Sequence, residues 1–222
     1  MKIVFNIGNP WTKDFPVQVR ELVDRTNSDA EVEYLYGNTS IIGMPNARED
    51  DRIPSRDFLT TKRYIENAHE NGLKINWTMN GSVIGNVKNV LQDWKARGHS
   101  IVAMLEDLGI DMLTVAHPLL MLMLRDYGCT IPIEISTIAN VCEPAQLRWF
   151  IDQEIQVNKI CLPVGKNRNT KYLMAMMAEC NKLGITPELI ANEFCFLNGC
   201  NCEGLLRRTC YDMNALALSG DS

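Results

Sequence analysis

Along this chain, brief runs of β-branched and aliphatic residues take turns with longer stretches whose apolar positions recur every three or four residues. Residues 2–7 form the first run, closed by Gly8, Asn9 and Pro10, and its weak alternation predicts a buried strand. Val17, Val19, Leu22 and Val23 then fall at helical spacing and predict a helix over 16–26. A second strand is predicted at 32–36, a helix at 58–70 stopped by Asn71 and Gly72, and a third strand at 73–80. The rest repeats the scheme. Helices are expected at 87–96 and 101–108, 119–127, 143–155 and 171–183, and strands at 112–116, 132–136, 159–164 and 187–191. Seven strand–helix alternations joined by short turns predict an α/β fold in which helices cover a parallel sheet. Seven units favour a TIM-type (β/α) barrel, incomplete because no eighth strand is visible, over a dinucleotide-binding sheet, whose Gly-x-Gly-x-x-Gly turn is missing after the first strand.

One long polar segment interrupts the pattern. Residues 39–56 carry Arg48, Glu49, Asp50, Asp51, Arg52 and Arg56. Loops of that length in a compact domain usually serve function or lack order, so the segment reads as an active-site lid or a mobile surface loop.

Composition narrows the class. With 222 residues, 46% hydrophobic and 22% charged, the chain suits one soluble globular domain spanning 1–222, and no apolar run approaches the ~20 residues of a membrane span. The opening residues read as a strand rather than a signal peptide, which predicts a cytoplasmic protein. A net charge of −5 gives no global basic field for DNA. Lys159, Lys166, Arg168 and Lys171 form either a local basic patch or an ordinary solvated helix start. The Met-rich runs at 121–124 and 174–177 read as core rather than as adaptable surface.

Barrel enzymes place their reacting groups at the carboxyl ends of the strands. Those ends carry Asn9, Asn38, Asn80, His117, Ser136, Asn140, Lys166 and Glu193. His117, one of three histidines, is the natural proton carrier, or else caps the helix that starts at Pro118. Glu193 is the second candidate acid–base group, while Asn80, Ser136, Asn140 and Lys166 are candidate substrate-binding residues. Glu134 lies inside a strand, where an unpaired charge would be costly, so it is paired or functional.

The densest chemistry follows the seventh strand. Four of the eight cysteines, Cys195, Cys200, Cys202 and Cys210, fall within a cysteine-rich loop at 192–211. In a reducing compartment such a group suggests metal or redox work rather than disulfides. Four thiolates fill the ligand set of a tetrahedral zinc or of an iron–sulfur cluster. The gaps of four, one and seven residues fit no standard zinc pattern and suit a loop wrapped around a cluster. Ordinary buried cysteines are the plainer alternative.

Several segments together resemble the peptidase U32 family, the collagenase-like peptidases. They are the approach from Ala68 through Ile75 to Asn80, Ala116-His117-Pro118 before an apolar helix, the run from Ile135 to Asn140, and Asn192-Glu193-Phe194-Cys195 with the later cysteines. The resemblance implies a (β/α) barrel, a 4Fe-4S cluster held by four cysteines, and oxygen-independent hydroxylation of a small molecule or RNA, as in some members. It matches Glu193 to the family glutamate and Cys195, Cys200 and Cys210 to cluster-region cysteines, with Cys202 as the fourth ligand and zinc as the alternative metal. The segment after Glu193 departs from the usual Gly-rich pattern. Three functions follow as expectations: an iron–sulfur redox or hydroxylating enzyme, a collagenase-like peptidase, or a non-catalytic subunit with a protein partner or a second copy of itself. Neither a His-Glu-x-x-His helix nor a Gly-x-Ser-x-Gly elbow is present to support proteolysis.

Overall fold

The computed structural model describes residues 3–26, 29–41, 53–82 and 84–191. Seven strands, β1 (Ile3–Gly8), β2 (Ala30–Gly37), β3 (Lys74–Met79), β4 (Met112–Val115), β5 (Ile133–Ile135), β6 (Val157–Cys161) and β7 (Thr186–Glu188), form one sheet in sequential order. All six neighbouring pairs are parallel. Six helices alternate with them: α1 (Phe15–Thr26), α2 (Phe58–Glu70), α3 (Val87–Leu108), α4 (Pro118–Asp126), α5 (Pro144–Asp152) and α6 (Thr170–Leu183).

A flat sheet of this order would hold β1 and β7 about 29 Å apart, six spacings of ~4.8 Å. Instead the Asn6 side-chain amide on β1 donates to the Glu188 carboxylate on β7. Lys159 on β6 likewise reaches Glu33 on β2, 2.8 Å away. The sheet is therefore curled into an incomplete TIM-type barrel, as the alternation predicted, with β1 and β7 as its two edges.

Strand residues alternate between the two faces, and the register assigns each. The outward set, Leu35, Ile75, Trp77, Leu113, Val115, Ile133, Ile135 and Ile160, is fully buried against the helices. The helices meet it with Ile65, Ala68, Leu105, Leu120, Met121, Leu124, Leu147 and Met176. Met121, Met123 and Met176 thus belong to the core, whereas Met174 and Met177 are exposed. The helix ends are set by local chemistry. Asp57 caps α2 by accepting from the Thr60 N–H at 2.8 Å, Asn86 caps α3, and α3 and α6 stop at Gly109 and Gly184 in left-handed conformations.

Two expectations change. The predicted helical pair at 87–96 and 101–108 is a single 22-residue helix, α3. Gly98 inside it marks a close approach rather than a break, because a Cβ there would lie 2.6 Å from the Tyr127 ring. The first strand is also less buried than its composition suggests. As an edge of the sheet it leaves Ile3, Val4 and Phe5 about half exposed. Of the long polar segment, residues 39–41 and 53–56 are described. Ser40 N–H donates to the Pro54 carbonyl, and the Arg56 guanidinium donates to the Trp11 carbonyl beside the end of β1. The expected lid or mobile loop otherwise lies outside the described residues.

Candidate functional site

The inner face of the barrel differs from the outer one. On β4 and β5 the inward positions Thr114 and Glu134 stand side by side, and Asn76 on β3 lies one inward step nearer the amino end, level with Met112. Thr114 donates its hydroxyl to Asn76 Oδ1 at 2.6 Å and lies 2.9 Å from Glu134 Oε2, which also accepts from the Asn76 amide. Across the curl, Glu188 faces Glu134 and accepts from Asn6. Cys161, level with Glu188 in the β6–β7 register, completes the wall.

Toward the amino ends of the strands, a charged group closes this chamber. Glu33 sits between Lys159 at 2.8 Å and Lys74 at 3.2 Å, and the Lys159 ammonium lies 4.3 Å from the centre of the Tyr34 ring. These contacts hold the Glu33 carboxyl below its usual range, against the opposing effect of burial. Lys159 is therefore an interior residue, and the basic patch loses its first member.

Glu134 and Glu188 have a different balance. Burial pushes the Glu134 carboxyl upward, and burial together with the Glu134 charge pushes Glu188 up to about 7. Among the described residues, no lysine or arginine forms an ion pair with either one, because both nearby ammonium groups are committed to Glu33. Two carboxylates that close cannot both ionise without help, so they share a proton or need a cation. Glu134, Cys161 and Glu188 each offer one ligand atom, all within 4.8 Å of one another, and these are the described residues that could hold a metal.

The strand-end residues predicted from sequence do line the carboxyl-end rim. Asn80 follows β3 and is half-buried. His117 caps α4, its Nδ1 accepting from the Leu119 N–H at 3.2 Å, so Nδ1 is committed to the cap and Nε2 is the nitrogen left to carry the proton. Ser136 is buried and caps the short turn Thr137–Ala139 by accepting from Ile138 N–H at 3.2 Å. Asn140 ends that turn in a left-handed conformation and accepts from the Cys142 thiol at 3.5 Å. Lys166 ends the turn after β6. Glu193, Cys195, Cys200, Cys202 and Cys210 lie outside the described residues, which reach Ala191, three residues past β7.

Sequence reasoning singled out Glu134 but missed Glu188, Cys161, Asn6, Asn76, Thr114, Lys159 and Glu33 as one group. The available signal was polarity at every second position: Asn76 and Thr78 between Ile75, Trp77 and Met79, or Glu134 between Ile133 and Ile135. A strand buried on both faces of a packed barrel has no other reason to alternate.

The comparisons with known proteins agree with this architecture. The sequence profile of Peptidase family U32 matches residues 50–182, more than half of the chain. The chain belongs to Peptidase family U32. A search of curated proteins returns no match. Among solved structures, the U32 peptidase Mk0906 superimposes with a TM-score of 0.68 at 14% identity, over 99% of this chain and 78% of that one. An L-ribulose 3-epimerase superimposes with a TM-score of 0.55 at 9% identity, over 98% of this chain and 83% of that one. At such identities the likeness is one of fold. The U32 family match spans α2 through most of α6, so it contains β3 to β6, the strands that carry Asn76, Thr114, Glu134 and Cys161.

Proposed function

We propose that this U32 protein is an enzyme acting on a small polar molecule, or on an RNA base or side group that enters the barrel, by oxygen-independent hydroxylation or a related redox step. The observation that carries the reading is the lining of the inner face. A packed (β/α) barrel fills its interior with layers of bulky branched side chains, whereas this one holds Asn6, Asn76, Thr114, Glu134, Lys159, Cys161 and Glu188. Burying so much hydrogen-bonding and ionisable surface is costly to the fold, and a reaction chamber is the use that repays it.

In this reading Glu134 and Glu188 exchange a proton with the substrate, since Glu188 titrates near neutrality. Asn80, Ser136, Asn140 and Lys166 on the rim orient the substrate, and His117 through Nε2 and Glu193 serve as further proton carriers. Cys195, Cys200, Cys202 and Cys210 would hold a 4Fe-4S cluster, with zinc as the alternative occupant. The cluster would supply single electrons. Support for it comes from connectivity: the described chain leaves β7 on the carboxyl-end face of the barrel, and the first of these cysteines lies four residues beyond Ala191.

Iron, sulfide and zinc analysis with an absorption spectrum, on protein purified without oxygen and beside Cys200→Ala, tests the reading. Four irons and four sulfides per chain, lost in the variant, are expected. Metal-free, colourless protein with an unchanged variant would remove the redox class. Hydrolysis, the activity in the family name, is the second reading, favoured by a carboxylate pair able to activate a water molecule. Cleavage of gelatin or casein abolished by Glu188→Gln would establish it in place of the first.

A further inference from the structure

Among the described residues, no cationic side chain contacts the carboxylate pair inside the barrel. Three buried or half-buried carboxylates, Glu33, Glu134 and Glu188, share the chamber with two ammonium groups, and both contact Glu33. Among the described residues, Glu134 accepts from the Asn76 amide and lies 2.9 Å from the Thr114 hydroxyl, Glu188 accepts from Asn6, the two carboxyls face each other, and Lys159 acts on both only at longer range. Their third neighbour is Cys161, 8% exposed and a soft sulfur donor. Three strands, β5, β6 and β7, therefore converge one oxygen, one sulfur and one oxygen ligand on a point that no ammonium or guanidinium group among the described residues contacts.

We infer that Glu134, Cys161 and Glu188 form a mononuclear site for a borderline divalent transition metal, zinc in the first instance, distinct from the cysteines beyond Ala191. Three independent features support it. The ligand atoms already lie within 4.8 Å of one another, so modest closure brings them to metal-bonding distance of a common centre. Two hard oxygens with one soft sulfur suit zinc or ferrous iron better than magnesium or calcium, which take oxygen alone. The amides of Asn6 and Asn76 donate to the two carboxylates, and the Thr114 hydroxyl holds Asn76 in place, which fixes the carboxylates' orientation as outer-shell partners of metal ligands do. Three protein ligands leave a fourth tetrahedral position for water or substrate, the arrangement of catalytic rather than structural zinc.

The inference rests on the barrel interior being the reaction chamber, and it changes the role of the pair. The ion displaces the shared proton and the Cys161 thiol proton, and the two glutamates become ligands. Cluster content and this site are read by separate variants, so either can fail alone.

The experiment is a cobalt(II) titration of chelator-treated, intact protein, because cobalt reports thiolate ligation through a ligand-to-metal charge-transfer band and four-coordination through intense visible bands. The titration is made in a background with Cys195, Cys200, Cys202 and Cys210 replaced by serine, so that no thiolate of the cysteine-rich segment competes, and one equivalent per chain, displaced by zinc, is expected there. Cys161→Ser should lose the charge-transfer band, and Glu188→Gln should keep it while weakening cobalt affinity about tenfold or more. Should Cys161→Ser fail to fold, Glu188→Gln decides the question by itself. A protein that gives no band in that background, or whose band survives Cys161→Ser there, overturns the assignment.

Discussion

The two faces of the sheet are built from the same strands and differ in almost every physical respect. Outward, Ile75, Trp77, Leu113, Val115, Ile133 and Ile135 are sealed against α2, α3 and α4 by apolar contact alone. Inward, their immediate neighbours Asn76, Thr114 and Glu134 are hydrogen-bonded across three strands. The outer layer holds the fold together, because hydrophobic burial is its dominant favourable term. The inner layer costs stability to maintain, and it is the layer that can do chemistry. Substitutions on the two faces should therefore separate stability from function.

Trp77→Ala offers the sharpest break on the outer side. The indole is 1% exposed and packs edge-on to Trp11 with ring centres 5.6 Å apart, so its removal should cost about 3–5 kcal/mol in denaturant unfolding. A loss below ~1 kcal/mol would show that the helix–sheet layer is not the stabilising one. Next in size is Lys159→Met at the floor of the chamber. It leaves Glu33 with one partner and removes the nearest positive charge from Glu134 and Glu188. About 3 kcal/mol of destabilisation at pH 7 is expected, readable as a fall in the urea midpoint at constant slope.

Glu188→Gln tests the inner face from the opposite direction. The folded carboxyl titrates near 7, above its unfolded value of 4.5, so between those pH values the folded state binds more protons than the unfolded one. Stability from this group is greatest at low pH and falls as pH rises from ~4.5 through ~7, by about 3 kcal/mol in all. The glutamine variant, uncharged throughout, should flatten that part of the pH–stability curve and match or exceed the parent protein at pH 8. A variant that is less stable than the parent at pH 8 would contradict the reading of the pair as a destabilising functional element.

The smallest effect belongs to the surface. His69 Nε2 lies 2.8 Å from Asp111, whose hydrogen bond raises the imidazole pKa above 6.5. That contribution is present below pH 6.5 and lost as pH rises through the raised value. Since both side chains are about a third exposed, His69→Ala should cost under ~1 kcal/mol at pH 6 and less at pH 9.

How far the sequence reached depended on the range of the interaction. The helix over 58–70 was legible to the residue because the apolar spacing and the Asn71-Gly72 stop both act within a turn or two. The single helix α3 was not, because the reason for Gly98 is Tyr127, twenty-nine residues away. The rim residues Asn80, His117, Ser136, Asn140 and Lys166 could be found by asking which residue ends each strand. Glu134 stood out because a carboxylate inside an apolar strand is costly anywhere.

Period, caps and turn residues, all local, determined the alternation of strands and helices, their parallel order, and the presence of a carboxylate and a cysteine-rich segment that demanded explanation. The curl of the sheet was decided only in three dimensions. It brings Asn6 to Glu188 and Glu33 to Lys159 across gaps of 182 and 126 residues. Which charges meet inside a barrel depends on strand register and closure, and neither is encoded near the residues that depend on them.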